Sequence, residues 1–556
     1  MPAERDPRVN DAATPNARPA ARHGEESIKE TFESIAIAFI LAFVFRAFVV
    51  EAFVIPTGSM APTLLGAHMR VHCEQCGFRF ASDVPNRAGE QETPGPLEHS
   101  TSFVCPMCRF DNTLFEGAKP SSGDRILVQK YVYSLRPPQR WDVAVFKNPQ
   151  QPEVNFIKRL VGLPDEALHI FEGNIYVAPL DADDRPVADA WRVARKSDRP
   201  EVQRAVWQPI YHSQYIPLDQ GEPVLNERRS ARWQTPWVAQ GPNRDHWQID
   251  HRRSYRFDSE RPGRIAFDFT RGGDDEVAGL YPYNQYRSWI DEPIEDIRLA
   301  VGVAPDQPGL NLALTTSARL HDADHQDPEV GAERLIVTLD ETGLLRLLAA
   351  DLATGDVRDE LARTQLDPLA PGRTTRLEFW FVDHEASVWI DGRRVLTHPF
   401  DVAMSVIRNR PAPLDRPENL GIDVSGSPVT LHRIELDRDI YYSGSNRQEG
   451  QARGALIRGS DHHVAGDPLI LYADEFFAVG DNGPASADGR YWSKVDAAIA
   501  ERYFAHRLEA GLDPAGLVPR ELLMGRAFFV YFPAPYPWQA GGRQVVPNFG
   551  DMRIIR

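Results

Sequence analysis

Phe53-Val-Ile-Pro-Thr-Gly-Ser-Met-Ala-Pro-Thr-Leu64 follows directly on the most apolar stretch of the chain. Apolar Phe53 to Ile55 leads into a Pro56-Thr57-Gly58 turn that presents Ser59. A serine on a tight glycine turn has an exposed Oγ and free backbone N–H groups beside it, which is what an acyl-transfer nucleophile needs. Taken alone, an ordinary turn serine is the commoner reading, so the stretches around it have to decide.

Upstream lies Ile35-Ala-Ile-Ala-Phe-Ile-Leu-Ala-Phe-Val-Phe45, then Arg46, then Ala47-Phe-Val-Val50. A bilayer core takes about 20 helical residues, so a transmembrane helix is expected over 31–52, with Arg46 snorkelling to the headgroups. The competing readings are a buried core helix and a cleavable signal peptide; the run starts late, and no small-x-small cleavage site follows it. Residues 1–30 are rich in Pro, Ala, Arg and Glu and read as a disordered tail. Arg5, Arg8, Arg18, Arg22 and Lys29 precede the run, and only Arg70 falls in the twenty residues after Val50. The positive-inside rule then puts the tail in the cytoplasm and the bulk of the chain on the far side of the cell membrane.

Downstream, Val154-Asn-Phe-Ile-Lys-Arg-Leu-Val-Gly-Leu-Pro-Asp-Glu166 sets Lys158 inside an apolar strand. Period-2 alternation puts Phe156, Lys158 and Leu160 on one mostly apolar face. Desolvation there favours a neutral amine, which can take a proton from a serine; the competing reading is a strand-edge lysine pointing to water. A third stretch, Phe476 to Trp492, runs from a strand into a Gly480-Asp481-Asn482 turn and on to Ser486, Asp488 and Arg490. Asp488 and Arg490 are placed to brace a loop as an ion pair, and Ser486 to hydrogen-bond a lysine amine; a plain polar loop is the alternative.

In this order, with Gly123-Asp124-Arg125-Ile126-Leu127-Val128, Arg140-Trp-Asp-Val-Ala-Val-Phe146 and Gly525-Arg526-Ala527, the stretches resemble the boxes of the bacterial type I signal peptidases. The resemblance covers roughly 30–178 and 467–533. It implies a membrane-bound serine endopeptidase that removes N-terminal signal peptides from preproteins with small residues at −3 and −1, near the secretion translocon. It implies Ser59 as nucleophile and Lys158 as general base, with no cofactor for catalysis. Thr57, through its side chain, and Ser59, through its N–H, are implied as oxyanion-hole donors. Ser486 is implied as orienter of the lysine, and Asp481, Asn482, Asp488 and Arg490 as supporting residues. Gly489 departs from the family, which often has Ser there. A self-cleaving repressor-type Ser/Lys peptidase shares the dyad, but the membrane run and the lack of a DNA-binding helix pair argue against it. A membrane-anchored carbohydrate-binding or scaffold protein with an inactive peptidase fold is the reading from another class.

The chain has four cysteines, all in Cys73-x-x-Cys76 and Cys105-x-x-Cys108. Two such knuckles offer four thiolates to one structural zinc within a 67–118 insertion; disulfides are the alternative, and a redox motif lacks its strand and helix. From 200 to 445 short runs alternate with turns: 264–269, 298–301, 335–339, 377–382 and 387–390, then an Asp391-Gly392 hairpin turn into 394–396. This reads as an inserted β-sandwich, and its Val-Trp-Ile-Asp-Gly-Arg-Arg-Val phrase (388–395) resembles the lectin-like concanavalin group. Trp380 and Trp389 are sugar-stacking or core residues, core being the commoner use. The expected architecture is mostly β: a peptidase body in two parts, 53–199 and 446–556, flanking a sandwich separable enough that a short linker in its place would leave cleavage measurable. At 556 residues the chain is too long for one core. Its net charge of −17 argues against general nucleic-acid binding.

Overall fold

The structure is a computed structural model that describes residues 23–84, 95–219, 223–226, 229–250, 252–271, 282–284, 295–318, 333–400, 419–442, 468–537 and 545–556. Most of the expected tail, the Arg46 side chain and 446–467 lie outside the described residues. The chain divides into a short N-terminal unit, Met1–Glu51, and a large one, Ala52–Arg556.

The described residues of the first unit form one helix, His23–Phe48, followed by the start of a strand at Val50. The helix starts earlier than expected and ends before residue 52, because that strand has already begun. Its described large apolar side chains, among them Phe32, Ile37, Phe39, Leu41 and Phe43, are exposed. Among the described residues no helix is long and apolar enough to cross a membrane.

The large unit is mostly antiparallel β. One eight-stranded sheet runs Val50–Val54, Arg125–Gln129, Leu523–Phe532, Val143–Asn148, Gln151–Gly162, Glu475–Val479, Leu517–Pro519, with Arg553–Ile554 paired to Leu523–Phe532. Residues on both sides of the long insertion thus meet in one sheet: Val479 pairs with Arg159 beside the lysine. The Gln151–Gly162 strand changes character along its length. It is exposed or half-buried at first and wholly buried from Lys158 onward, so both faces are covered there, not the one face that alternation predicts. A second sheet orders Arg192–Val193, Asn174–Pro179, Glu166–Phe171 and Leu469–Leu471.

Between Gln208 and Arg438 two further sheets, of eight and seven strands, enclose one apolar core that includes Tyr255, Leu299, Leu314, Val337, Phe379 and Ile422. The strands read from sequence lie inside observed ones, such as Thr375–Val382 and Glu385–Ile390, except 264–269, which runs past the end of Gly263–Phe267. The hairpin turn has Asp391 at φ 48° and Gly392 at φ 81°, as a type I′ turn requires.

The sandwich, expected as a separable module, makes a close junction with the chain before it. Lys196, before the sandwich, is 1% exposed and lies 2.6 Å from Asp383 and 2.8 Å from Asp439 of the sandwich. Tyr176 Oη lies 3.0 Å from His384 Nε2, and Gln203 donates to Asp439 at 2.8 Å. Trp380 and Trp389 stack with centroids 4.6 Å apart, Trp207 packs edge-on against Trp380, and the Arg204 guanidinium lies over both. Both tryptophans are buried, so neither presents a face to a sugar.

Candidate active site

Ser59 sits in a single 3₁₀ turn, Gly58–Met60, closed by Ala61 N–H to Gly58 O at 3.0 Å. The turn packs against the lysine strand, and Lys158 Nζ lies 2.8 Å from Ser59 Oγ. Ser59 is 8% exposed and Lys158 4%, so the pair is nearly closed to water. The Phe156 ring lies 5.0 Å from the same ammonium nitrogen. Thr57, half-buried in extended backbone, precedes the turn and makes no side-chain cap to it.

The Gly480-Asp481-Asn482 turn lies on the other side of Ser59. Asn482 N–H donates to Ser59 O at 3.1 Å, and Asn482 Nδ2 to Gly58 O at 3.0 Å. Asp481 accepts two bonds from Arg159, at 2.7 and 2.6 Å, and a short one from Thr63 Oγ1. Arg159 and Asp481 are fully buried, so this is a desolvated two-bond ion pair between the lysine strand and the surroundings of Ser59. Asp488 and Arg490 form the expected pair at 2.8 Å, also fully buried, and Asp488 accepts Gly480 N–H at 2.8 Å. Burial pushes the Asp488 carboxyl up, but Arg490, the Gly480 amide and the Lys158 charge together hold it below the usual carboxylate range. Gly489 has no room for a serine: a Cβ there would lie 2.6 Å from Phe477 and 2.7 Å from Gly516 O. Ser486 is 4% exposed and close to the site, since a Cβ on Gly480 would lie 2.2 Å from its Oγ and 2.3 Å from Ser59 O. Among the described residues its Oγ has no hydrogen-bond partner, the Lys158 amine included.

Sequence reasoning missed three contributors. Arg159 was adjacent to the lysine but drew no role, although a second cation in an apolar strand demands a buried partner. Tyr283 and Asn284 lie in the long insertion and carry no local signature. Tyr283 covers Gly58 so closely that a Cβ on that glycine would lie 2.1 Å from its ring, and Asn284 bonds Asn482.

The four cysteines come together in one cluster. Each knuckle tips a short hairpin, Met69–His72 with Arg79–Ser82 and Thr101–Val104 with Asp111–Leu114. The two turns are built alike: Gly77 and Arg109 N–H bond Cys73 and Cys105 O, and both have positive φ, 76° and 61°. All four thiols are free and buried, with their Sγ atoms within 4.8 Å of one another. Cys73–Cys108 at 3.5 Å and Cys76–Cys105 at 3.6 Å are far from bonded sulfur. Sulfurs about 3.8 Å apart are what a tetrahedron with zinc–sulfur bonds of about 2.3 Å requires, so the donor set fits that ion.

The family model described as "Signal peptidase, peptidase S26" matches residues 28–78 and 116–228. The similarity is to the signal peptidases. Signal peptidase I of Rickettsia prowazekii is 28% identical over 155 residues, 28% of this chain and 45% of that protein. Signal peptidase I of Leptolyngbya laminosa is 26% identical over 173 residues, 30% of this chain and 58% of that protein. The chain thus spans about half the length of these relatives. Among solved structures, the carbohydrate-binding module CBM66 from Bacillus subtilis aligns to 37% of this chain and 96% of its own at 11% identity and TM-score 0.22. The exoplasmic/lumenal domain of VIP36 aligns to 42% and 93% at 12% identity and TM-score 0.24. The matched segments hold Ser59 and Lys158 but end before the Gly480 turn, which reaches the site through the fold alone.

Proposed function

We propose that this protein is a signal peptidase whose nucleophile is Ser59 Oγ and whose general base is Lys158 Nζ. The 2.8 Å contact of two buried groups carries the reading. A serine hydroxyl is a weak nucleophile until its proton is taken. A neutral lysine amine at hydrogen-bonding distance accepts that proton as Oγ attacks the scissile carbonyl, and returns it to the leaving amine. Water, deprotonated by the same amine, then hydrolyses the acyl-enzyme. Ser59 N–H and Thr57 are the proposed donors to the oxyanion. Asn482 holds the carbonyls of Gly58 and Ser59, which fixes how the turn presents both the hydroxyl and the amide.

The substrates in this reading are preproteins with small residues before the cut. The exposed apolar helix is the membrane anchor, with the catalytic unit on the extracytoplasmic side of the cell membrane. Ile55 is part of the core, while Val54 beside it is exposed. Cys73, Cys76, Cys105 and Cys108 would hold one structural zinc, whose contribution is to fix the two hairpins. No carbohydrate role is carried by the tryptophans. The test is cleavage of a preprotein in detergent, with the product's new N-terminus read by mass spectrometry. Wild type should cut once, after a small residue, and Ser59→Ala should not cut. Equal cleavage by Ser59→Ala overturns the proposal.

A further inference from the structure

The described residues of the inserted sandwich include one turn that leaves its core for the peptidase site: Pro282–Asn284. Tyr283 and Asn284 are 3% and 1% exposed. Asn284 and Asn482 face each other as a reciprocal amide pair: Asn284 Nδ2 donates to Asn482 Oδ1 at 2.7 Å, and Asn482 Nδ2 to Asn284 Oδ1 at 3.0 Å. The same Asn482 Nδ2 donates to Gly58 O, and its main-chain N–H to Ser59 O. The turn is held from its other side by the cysteine-bearing hairpin, whose Asp83 N–H donates to Tyr283 O at 2.8 Å. Tyr283 itself packs on Ala61, Leu65 and Ala81.

We infer that Asn284, supplied by the insertion, is a positioning residue for the nucleophile: it fixes the Asn482 amide that holds the Gly58–Ser59 turn against Lys158. The inference rests on the reading of Ser59 as nucleophile. The physical reason is satisfaction of buried polar atoms. Asn482 Oδ1 is buried, and Asn284 gives it its donor. Without that donor the amide pays a desolvation cost in its present orientation, and turning to find another partner moves Nδ2 off Gly58 O. Displacement of the reacting atoms by about 1 Å is enough to cost on the order of 100-fold in rate. Among the described residues the Asn284 side chain is hydrogen-bonded to Asn482, so its effect is expected to run through Asn482 and fall on kcat. The insertion is therefore part of the catalytic apparatus, and the cysteine-bearing hairpin is tied to the same turn.

The test uses the full chain in detergent, with Asn284→Ala and, should that variant not fold, Asn284→Leu, which keeps the volume and removes the donor. Expected are a fall in kcat of ten- to a hundred-fold with KM nearly unchanged, and no further loss when Asn482→Ala is added. Peptides covering 53–64 and 478–486 should exchange amide hydrogen faster than in wild type. A kcat within twofold of wild type, or a loss confined to KM, overturns the inference while Ser59→Ala, being dead, leaves the dyad intact. Should Ser59→Ala cleave normally, the dyad reading fails, and the exchange measurement decides alone: unchanged protection of both peptides overturns the inference.

Discussion

At the residue scale, the proposed Ser59–Lys158 dyad could be read from sequence because both residues sit in short local patterns. Ser59 follows a Pro-Thr-Gly turn, and Lys158 interrupts an apolar strand. Distance and burial then needed the fold. His68 was not legible at all. It is fully buried three residues beyond Leu65, with Nδ1 donating to Gly66 O at 2.7 Å and Nε2 without a hydrogen bond. Burial lowers its pKa from 6.5 to about 4 against the opposing pull of the Gly66 carbonyl. The folded value is below the unfolded one, so the unfolded chain takes up the proton first. His68 thus costs nothing above about pH 6.5 and progressively destabilises the fold as pH falls toward 4, by on the order of 3 kcal/mol. His68→Gln should flatten the wild-type fall in thermal midpoint between pH 6.5 and 4.5. An unchanged pH slope would show that the imidazole is not buried neutral.

At the element scale, the lysine strand is fixed by its neighbours more than by its own sequence. Arg159 alternates with Lys158 onto the opposite face and is paired there with Asp481, both at zero side-chain exposure. The partner lies 322 residues away in sequence, which is why the pattern showed a cation and no counter-charge. Removing one side of such a pair leaves a buried charge unpaired and costs about 3–5 kcal/mol. Asp481→Asn should lower stability by that order in denaturant melts and slow cleavage with it; a change under about 1 kcal/mol would mean the pair is solvated. The two cysteine knuckles were legible as a pair, and their matching Gly77 and Arg109 turns came from structure. Purified protein should carry about one zinc per chain by elemental analysis. Chelation should free four thiols to titration and loosen 69–82 and 101–114 in hydrogen exchange. Absence of metal together with oxidised cysteines would contradict the site.

At the scale of the whole molecule, strand runs and turns gave the mostly β reading and the sandwich, because each is a local pattern of alternation and punctuation. How the sandwich is joined was hidden, since Lys196, Trp207, Trp380 and Asp383 have ordinary local contexts and acquire meaning only in contact. Replacing 208–438 by a linker would expose the Lys196 pocket and Trp207 and remove Asn284. The expected outcome is a soluble yield well below wild type and no measurable cleavage from the folded fraction; cleavage near the wild-type rate would show that the insertion is an independent passenger.

The central claim is that the Lys158 amine takes the proton of Ser59, and it is tested most directly by the initial rate of preprotein cleavage in detergent for Lys158→Arg, with circular dichroism as the check on folding. A guanidinium stays protonated and accepts no proton, so the account predicts a folded protein slower by at least the 100- to 10,000-fold that general-base catalysis supplies. A Lys158→Arg rate close to wild type would contradict it and move the base to another group.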